Sequence, residues 1–461
     1  MSGIRRFRGL WLAVGLLTCV NARADLYAAR DAYAKKDYPR AFELYRELAE
    51  MGYLGGQEFV ADMYVGGDGV KRDNALGYAW AKVAKENGAG AEMQNIIDQL
   101  EPHLTAKARA VVGEIHAQYG KEAIEKRWIP DPQREETPPT ATLCKLRVPV
   151  NPQEFFPEAA RNAGYSGKVF VQFTVAPDGH ARNPRVWFST PKDLFDNAAR
   201  AVVMKSIYTP RKENGVADSC SMRILIKFEL TGSGDGDDRI RRDFASLESQ
   251  ATAGDPFFQT AYALVIATRP ELNSRHESYI SPLLKAAQAG IPFAQYMIGV
   301  HTLDGAIVRR DVAKGLLWLN EAAEGGNAEA QVTLANHLMK SGGDAKVAVA
   351  WLEKSAAAGN IEGIYRLSAV LAASPDAALR DPQKALTLVS EKLAIADAVP
   401  APSDIRAAAH AMLGDFVAAE KDQKRAVSKV RILGWDRSPQ EARLAAYQAK
   451  KSWTGDLIEF D

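Results

Sequence analysis

The sequence predicts a multi-domain, mainly α-helical protein in which helical-repeat α-solenoids flank a small α+β domain with a three-stranded antiparallel sheet. Predicted helical segments that end in glycine recur at intervals of 33 to 36 residues on both sides of the middle of the chain. Such a period is typical of stacked helix–turn–helix units. In between, 168–175 alternates apolar and mostly polar residues and runs into an Asp-Gly turn, which predicts a half-buried strand and a hairpin.

Length and composition set broad limits on the function. The 461 residues suffice for several domains, and 47% apolar and 25% charged residues are ordinary values for globular protein. Lys and Arg number 58 against 57 Asp and Glu. This balance argues against a wholesale nucleic-acid or anionic-membrane binder.

The N-terminus has the pattern of a secretory signal peptide. Arginines at positions 5, 6 and 8 precede an apolar run over 9–20, and Ala22-Arg23-Ala24 supplies small residues at the cleavage spacing. The run is shorter than the ~20 residues that span a bilayer. We therefore expect a cleaved signal peptide at 1–24 and a periplasmic mature chain, with a lipoprotein site at Cys19 as the alternative.

Two cysteines, Cys144 and Cys220, remain after the signal peptide is removed. Two cysteines in an exported chain favour a disulfide, and this one would bracket the β segment. The alternative is a pair of unrelated buried thiols.

The repeated helical segments have the same residue types at equivalent positions, in addition to a common period. Gly52 and Gly88 lie 36 residues apart, and Gly290, Gly326 and Gly359 follow at intervals of 36 and 33. A tryptophan stands eight residues before three of these glycines, at Trp80, Trp318 and Trp351. We expect these tryptophans in the core and the glycines at left-handed helix ends.

These repeated segments resemble Sel-like repeats, which are relatives of the tetratricopeptide repeat. The consensus of the Sel-like repeat ends in Trp-x-x-x-Ala-Ala-x-x-Gly. The resemblance covers about 25–90 and 250–395. It implies a solenoid that serves as a scaffold for protein contacts.

The central segment reads as helix–strand–strand–helix–strand. A short helix follows Phe156-Pro157, the strand over 168–176 leads into Asp178-Gly179, and a second strand covers 185–189. The next helix places Phe195, Ala199, Val202 and Ser206 on one face. In the last strand Ile224, Ile226, Phe228 and Leu230 face one side, while Arg223, Lys227 and Glu229 face the other. This order needs one layer of helices on a three-stranded sheet.

These residues look like the C-terminal domain of TonB. The landmarks are Phe156-Pro157, Ala160-Arg161, Gly167 to Gly179, Phe195-Asp196-Asn197-Ala198-Ala199 and Pro210. The resemblance implies a binding role in which a short segment of an outer-membrane receptor is added to the sheet as a strand. If the resemblance holds for this chain, the partner-binding edge strand consists of Arg223, Ile224, Leu225, Ile226, Lys227 and Phe228. The alternative is a sheet edge with no partner.

The predicted boundaries follow from these two resemblances and two linkers. In order they are a signal peptide (1–24), Sel-like repeats (25–128), a Pro-rich linker (129–142), the TonB-like domain (143–231), a second linker (232–239), Sel-like repeats (240–398) and C-terminal helices (399–461). The Pro-rich part of the first linker, 129–139, would reach only about 35 Å when extended at ~3.1 Å per residue. With the short N-terminal apolar run, this makes energy transduction by the chain alone doubtful.

The residues offer no support for an enzyme, a cofactor or a metal. The seven histidines lack zinc-type spacing, and no nucleophile motif or phosphate-binding loop is present. We expect His301 and His337 to serve in packing, and the aspartates near Asp235 lack the Glu that a calcium loop needs.

The leading hypothesis is a periplasmic TonB-like protein that binds envelope or outer-membrane receptor partners by strand addition, with a link to TonB-dependent transport as its extension. The alternative is a helical-repeat scaffold with the TonB-like domain as a passive module. Partners are expected to be proteins, without nucleic acid or a small-molecule substrate, and with only indirect membrane contact. A disulfide would also hold 143–148 near the final strand, so we expect that segment to cover part of its edge.

Overall fold

The computed structural model describes residues 24–132, 144–190, 194–213, 216–218, 220–230, 244–268, 272–273, 275, 277–305, 307–392 and 400–457. The fold is mainly helical with small antiparallel sheets, which confirms the predicted class. Residues 1–23 of the predicted signal peptide and most of both predicted linkers lie outside the described residues, as do Asp235 and its neighbours.

The helices are numbered in chain order. They are α1 (Leu26–Ala34), α2 (Tyr38–Glu50), α3 (Leu54–Gly66), α4 (Asn74–Glu86), α5 (Ala91–Leu100), α6 (Ala106–Tyr119), α7 (Lys121–Arg127), α8 (Glu158–Asn162), α9 (Asp196–Lys205), α10 (244–252), α11 (Pro256–Thr268), α12 (Ile280–Gln288), α13 (Pro292–Asp304), α14 (Val312–Glu324), α15 (Ala328–Lys340), α16 (Ala345–Ala357), α17 (Ile361–Ala373), α18 (Pro382–Lys392), α19 (Ala401–Met412), α20 (Phe416–Leu433) and α21 (Ser438–Gln448).

The strands belong to three small sheets. They are β1 (Lys145–Val148), β2 (Gly167–Val175), β3 (Ala181–Thr190), β4 (Ile207–Thr209), β5 (Arg211–Glu213), β6 (Val216–Asp218) and β7 (Cys220–Phe228). The main sheet has the order β3-β2-β7, while β1 pairs with β4 and β5 pairs with β6.

The chain divides into two compact units, each built from an early and a late stretch of sequence. The first, here called the repeat unit, comprises the described residues of 24–132 and 244–330. The second, here called the mixed unit, comprises the described residues of 144–230 and 331–457. The α+β segment therefore shares its unit with the last helices of the chain.

Contacts between distant stretches hold the repeat unit together. The Trp318 indole N–H donates to the Trp128 carbonyl at 2.7 Å, and the two rings meet edge to face. The Lys314 ammonium donates to the Ile129 carbonyl at 2.7 Å. Trp80 and Trp318 are buried here, and Trp351 is buried in the mixed unit, which confirms that these tryptophans are core residues.

Helix ends in the repeat unit follow the local sequence. The Asp73 carboxylate accepts from the N–H groups of Ala75 and Leu76 at the start of α4, the N-cap arrangement that satisfies otherwise unpaired donors. Past the end of α12, Gly290 has φ +82°, and a Cβ there would collide with the Ala24 carbonyl. Only glycine fits that position without strain.

The core of the α+β domain lies between the main sheet and two helices, α8 and α9. From β2, Val169, Val171, Phe173 and Val175 all point into it. On α9 the predicted face, Phe195, Ala199, Val202 and Ser206, is buried. Phe195 stacks on Phe228 of β7 with ring centroids 5.0 Å apart. The predicted helix layer on a three-stranded sheet is confirmed.

The prediction of a half-buried strand holds for the middle of β2 and is wrong for its ends. On the outer face Phe170 and Gln172 are partly exposed, whereas Lys168 and Thr174 are only 8% and 4% exposed. Local periodicity does not signal this burial of the two polar residues.

Candidate functional site

Strand β7 contains all six residues predicted to form a partner-binding edge. Ile226 and Phe228 are buried in the core, and Ile224 packs partly against it. Lys227 is exposed, Leu225 is half-buried, and Arg223 lies opposite Gln172 in the register. The apolar side chains anchor the strand to its domain, while Lys227 remains available to a partner.

The pairing of β7 with β2 is long and regular. Nine consecutive pairs run from Gly167–Phe228 to Val175–Cys220 without a register shift. Among the described residues, β7 pairs as a strand only with β2, which puts it at one edge of the main sheet. Alternate residues of an edge strand direct N–H and C=O groups away from the sheet.

The other edge strands that the structure describes are less regular. Strand β3, at the opposite edge, has two register shifts against β2. Strand β1 has four residues and a bulge between Leu146 and Val148 in its pairing with β4. Bulges, short length and charged side chains all discourage the addition of a further strand. This comparison favours β7 as the place where another strand can be added.

The β2–β3 turn is bound to the end of α20 by contacts that we call the hairpin junction, made by Asp178, Arg182, Trp435 and Asp436. The Asp178 carboxylate accepts from the Arg182 guanidinium at 2.6 Å and from the Asp436 backbone N–H at 3.1 Å. The Arg182 guanidinium lies 3.7 Å from the centre of the Trp435 ring, well within cation–π range.

The electrostatics of the hairpin junction favour an ionised Asp178. Burial alone would raise the pKa of this carboxyl group. The positive charge of Arg182 and the N–H groups of His180 and Asp436 outweigh burial and lower the pKa below its usual value.

A buried ion cluster ties β3 to helix α17. The Glu362 carboxylate lies 3.0 Å from the Arg185 guanidinium and 2.6 Å from that of Arg366, which is fully buried. Burial opposes the charge on Glu362, but the two arginines outweigh it and lower the pKa of Glu362. Through the ion cluster and the hairpin junction, β3 is bound to helix α17 and to the residues that follow helix α20.

The structure joins Cys144 and Cys220 in a disulfide at the start of β7. The expectation that 143–148 covers the β7 edge was wrong for the strand itself. Residues 145–148 pair with 207–209 of β4, and all four are exposed. The disulfide bond precedes β1, so the chain can turn toward β4. The N–H and C=O groups of β1 then form hydrogen bonds with those of β4.

Sequence reasoning missed the three short strands β4, β5 and β6. Each has three residues, which is too short for a period to show. The one available signal was Pro210, which separates β4 from β5.

The repeat unit contains a cavity of about 710 Å³. Its lining combines aromatic rings with charges of both signs and includes Arg30, Tyr53, Glu58, Phe59, Lys121 and Lys285. Its volume lies within the range of about 300–1,000 Å³ that is usual for ligand sites.

His301, in helix α13, has a structural environment. His301 is buried, and its Nε2 lies 3.0 Å from the Tyr279 hydroxyl, consistent with the packing role expected of it. Across the described ranges, no three His, Cys, Asp or Glu side chains are grouped so that they could hold a metal ion. In that part of the chain no helix combines the length and apolarity that a membrane crossing requires.

Comparisons with known proteins agree with this architecture. The family described as Gram-negative bacterial TonB protein C-terminal matches residues 152–230. The Sel1 repeat family matches 24–53, 55–88, 292–327 and 328–360. Both resemblances inferred from the sequence are thereby confirmed.

Two solved structures are similar to parts or most of the chain. A Sel1 repeat protein from Oxalobacter formigenes is 30% identical over 27% of this chain and 96% of its own, with a TM-score of 0.26. A protective antigen present in uropathogenic Escherichia coli strains, displaying an SLR fold, is 16% identical over 95% of this chain and 82% of its own, with a TM-score of 0.34. No curated protein matches significantly.

The family matches, rather than these structural likenesses, carry the assignment. TonB C-terminal domains are associated with the envelope of Gram-negative bacteria, and both families are non-enzymatic modules of protein–protein interaction. The chain is therefore a protein-interaction scaffold that combines Sel1 repeats with a domain of the TonB C-terminal family.

Proposed function

We propose that the protein binds an extended segment of an envelope protein, of the outer-membrane receptor class, by strand addition along β7. The carrying observation is the contrast between the sheet edges. Strand β7 offers nine regularly paired residues, whereas β3 is irregular and bound to the chain's own helices. Backbone hydrogen bonds would supply affinity, and side chains beside the edge would supply selectivity.

This proposal includes a periplasmic location. The signal-peptide pattern of the sequence at 1–24 and the envelope association of the TonB C-terminal family support it. A link to TonB-dependent transport would then operate through partners, since Arg182 and Arg185 fix the domain to helices of its own chain.

A matched pair of proline variants tests strand addition. Neighbouring residues of a strand direct their N–H groups to opposite sides, so only one of Leu225→Pro and Ile226→Pro removes an outward donor. The other removes a bond to β2. Binding of peptides from the periplasmic segments of outer-membrane receptors should be lost in the outward variant while its near-UV circular dichroism is retained. Full binding by both variants would contradict the proposal.

A second candidate function places recognition in the repeats, with the TonB-like domain passive. The cavity beside Tyr53 and Phe59 favours it. If it is correct, Tyr53→Ala with Lys285→Glu abolishes partner capture, and the β7 proline variants capture normally. The reverse pattern rejects this alternative.

A further inference from the structure

A strongly basic surface flanks the start of β7. Strand β1 pairs antiparallel with β4, which brings the stretch 144–150 beside 205–212. These two stretches contain five cationic residues and no Asp or Glu: Lys145, Arg147, Lys205, Arg211 and Lys212. We call this set the basic corner. It is a local feature, since the whole chain has a net charge of only +1.

The disulfide fixes the position of the basic corner relative to the edge strand. Cys144, directly before β1, is bonded to Cys220, the first residue of β7. The Arg211 backbone N–H also donates to the Cys144 sulfur at 3.1 Å. A segment added along β7 therefore has one of its ends beside this surface.

The side chains of the basic corner are accessible. All five cationic residues are exposed, and Leu146 and Val148 between them are 44% and 45% exposed. Lys205 is engaged locally, since its ammonium lies over the Phe155 ring, and Arg211 belongs to strand β5, whose backbone is paired with β6. Lys145, Arg147 and Lys212 are thus the residues best placed to meet a partner.

The backbone of β1 is a poor acceptor of a further strand, because it is short, bulged and charged. Its contribution to binding must then come from side chains. Exposed cations beside exposed aliphatic groups suit a segment with carboxylates and some apolar character.

We propose that the basic corner selects partners whose added strand carries acidic residues at the end beside Cys220. This inference rests on strand addition at β7 and names the chemistry of the partner. Residues 145 and 147 precede the matched family segment of 152–230, so this part of the surface is supplied by the chain outside that domain match.

The orientation of the added strand becomes measurable as a consequence. A strand antiparallel to β7 has its C-terminal end beside Cys220, whereas a parallel strand has its N-terminal end there. Three peptides with one central sequence suffice: one neutral, one with three N-terminal glutamates and one with three C-terminal glutamates.

The test measures binding of these peptides to the full-length mature chain by fluorescence anisotropy at low and high salt. One acidic peptide should bind about tenfold more tightly than the neutral one at low salt, because several weak exposed ion pairs add together, and salt should reduce the difference. The triple variant Lys145→Glu, Arg147→Glu, Lys212→Glu should abolish the preference. The matched control, Lys71→Glu, Lys107→Glu, Lys126→Glu, reverses three exposed lysines of the repeat unit and should retain it.

The outcomes separate the two proposals. Equal binding of all three peptides, still sensitive to the β7 proline variant, overturns acidic selection and leaves strand addition intact. Binding insensitive to the prolines, or no binding, contradicts strand addition and acidic selection with it. Binding of the chain through these cations to peptide-free vesicles containing phosphatidylglycerol, with no preference among peptides, assigns the basic corner to a lipid surface and overturns the proposal.

Discussion

The Asp178 carboxylate, in the turn between β2 and β3, accepts a hydrogen bond from the backbone N–H of Asp436, 258 residues later in the chain. This contact shows that the TonB-like domain is built into a larger body. The last helices of the chain hold its hairpin, and α17 pairs with β3 through Glu362. These contacts fix the sheet that contains β7 to the helices of its own unit.

Arg182→Ala should loosen the β2–β3 hairpin. The substitution removes the pairing with Asp178 and the contact with the Trp435 ring, for a combined loss of about 1–2 kcal/mol. Hydrogen exchange in 174–182 should accelerate accordingly. Arg200→Ala is the control, because the Arg200 guanidinium bonds to Asn197 of its own helix. Equal exchange in both variants would contradict the role of the hairpin junction.

Acid should weaken the same contacts. The folded-state pKa values of Asp178 and Glu362 are lowered from reference values of 3.8 and 4.5. Their contribution is therefore complete above those values and is lost as pH falls through the lower folded-state values. Hydrogen exchange of the hairpin, compared between wild type and Asp178→Asn, should differ at pH 6, and the difference should shrink progressively as the pH falls below 3.8. A difference that stays constant over this range contradicts the assignment.

Gly179→Ala should cost more stability than Gly164→Ala. Both glycines have positive φ, +81° and +72°, so each substitution adds roughly 1 kcal/mol of backbone strain. Only at Gly179 does a Cβ also meet an atom, the Tyr208 carbonyl oxygen at 2.6 Å. Thermal unfolding of the domain should show the larger loss for Gly179→Ala. Equal losses would show that this close approach is unimportant.

Removal of the disulfide should destabilise the domain and release β1. The bond joins residues 76 apart, for which the chain-entropy model gives about 4.5 kcal/mol. The double variant Cys144→Ser, Cys220→Ser should show a lowered midpoint of thermal unfolding. It should also lose any preference for acidic peptides, because the basic corner is no longer fixed beside β7. An unchanged midpoint would contradict the structural role of this bond.

The sequence predicted those elements whose signals are local. The alternation from Val169 to Val175, the Asp178-Gly179 turn and the face of α9 from Phe195 to Ser206 all appear as expected. The burial of Lys168 and Thr174 was not predictable, because the alternation within the strand does not distinguish buried polar positions from exposed ones. The pairing of β1 with β4 was missed for a similar reason, since segments of three or four residues carry no readable period.

The candidate site was predicted in part. The residues of β7 and their inward and outward alternation followed from the sequence, but the regularity of its edge relative to β3 and β1 required the structure. The basic corner was hidden in the sequence, because Lys145 and Arg147 lie more than 55 residues before Lys205 and Lys212. Only the fold places these charges together.

Strand addition at β7 is the central claim, and N-methyl scanning of a bound peptide tests it most directly without altering the protein. In an added strand alternate amide N–H groups bond to the edge, so methylation at every second position removes them selectively. One alternating set of methylated peptides should lose binding to the full-length mature chain, and the other set should bind as the parent does. Equal effects at all positions, or none at any, would contradict the claim.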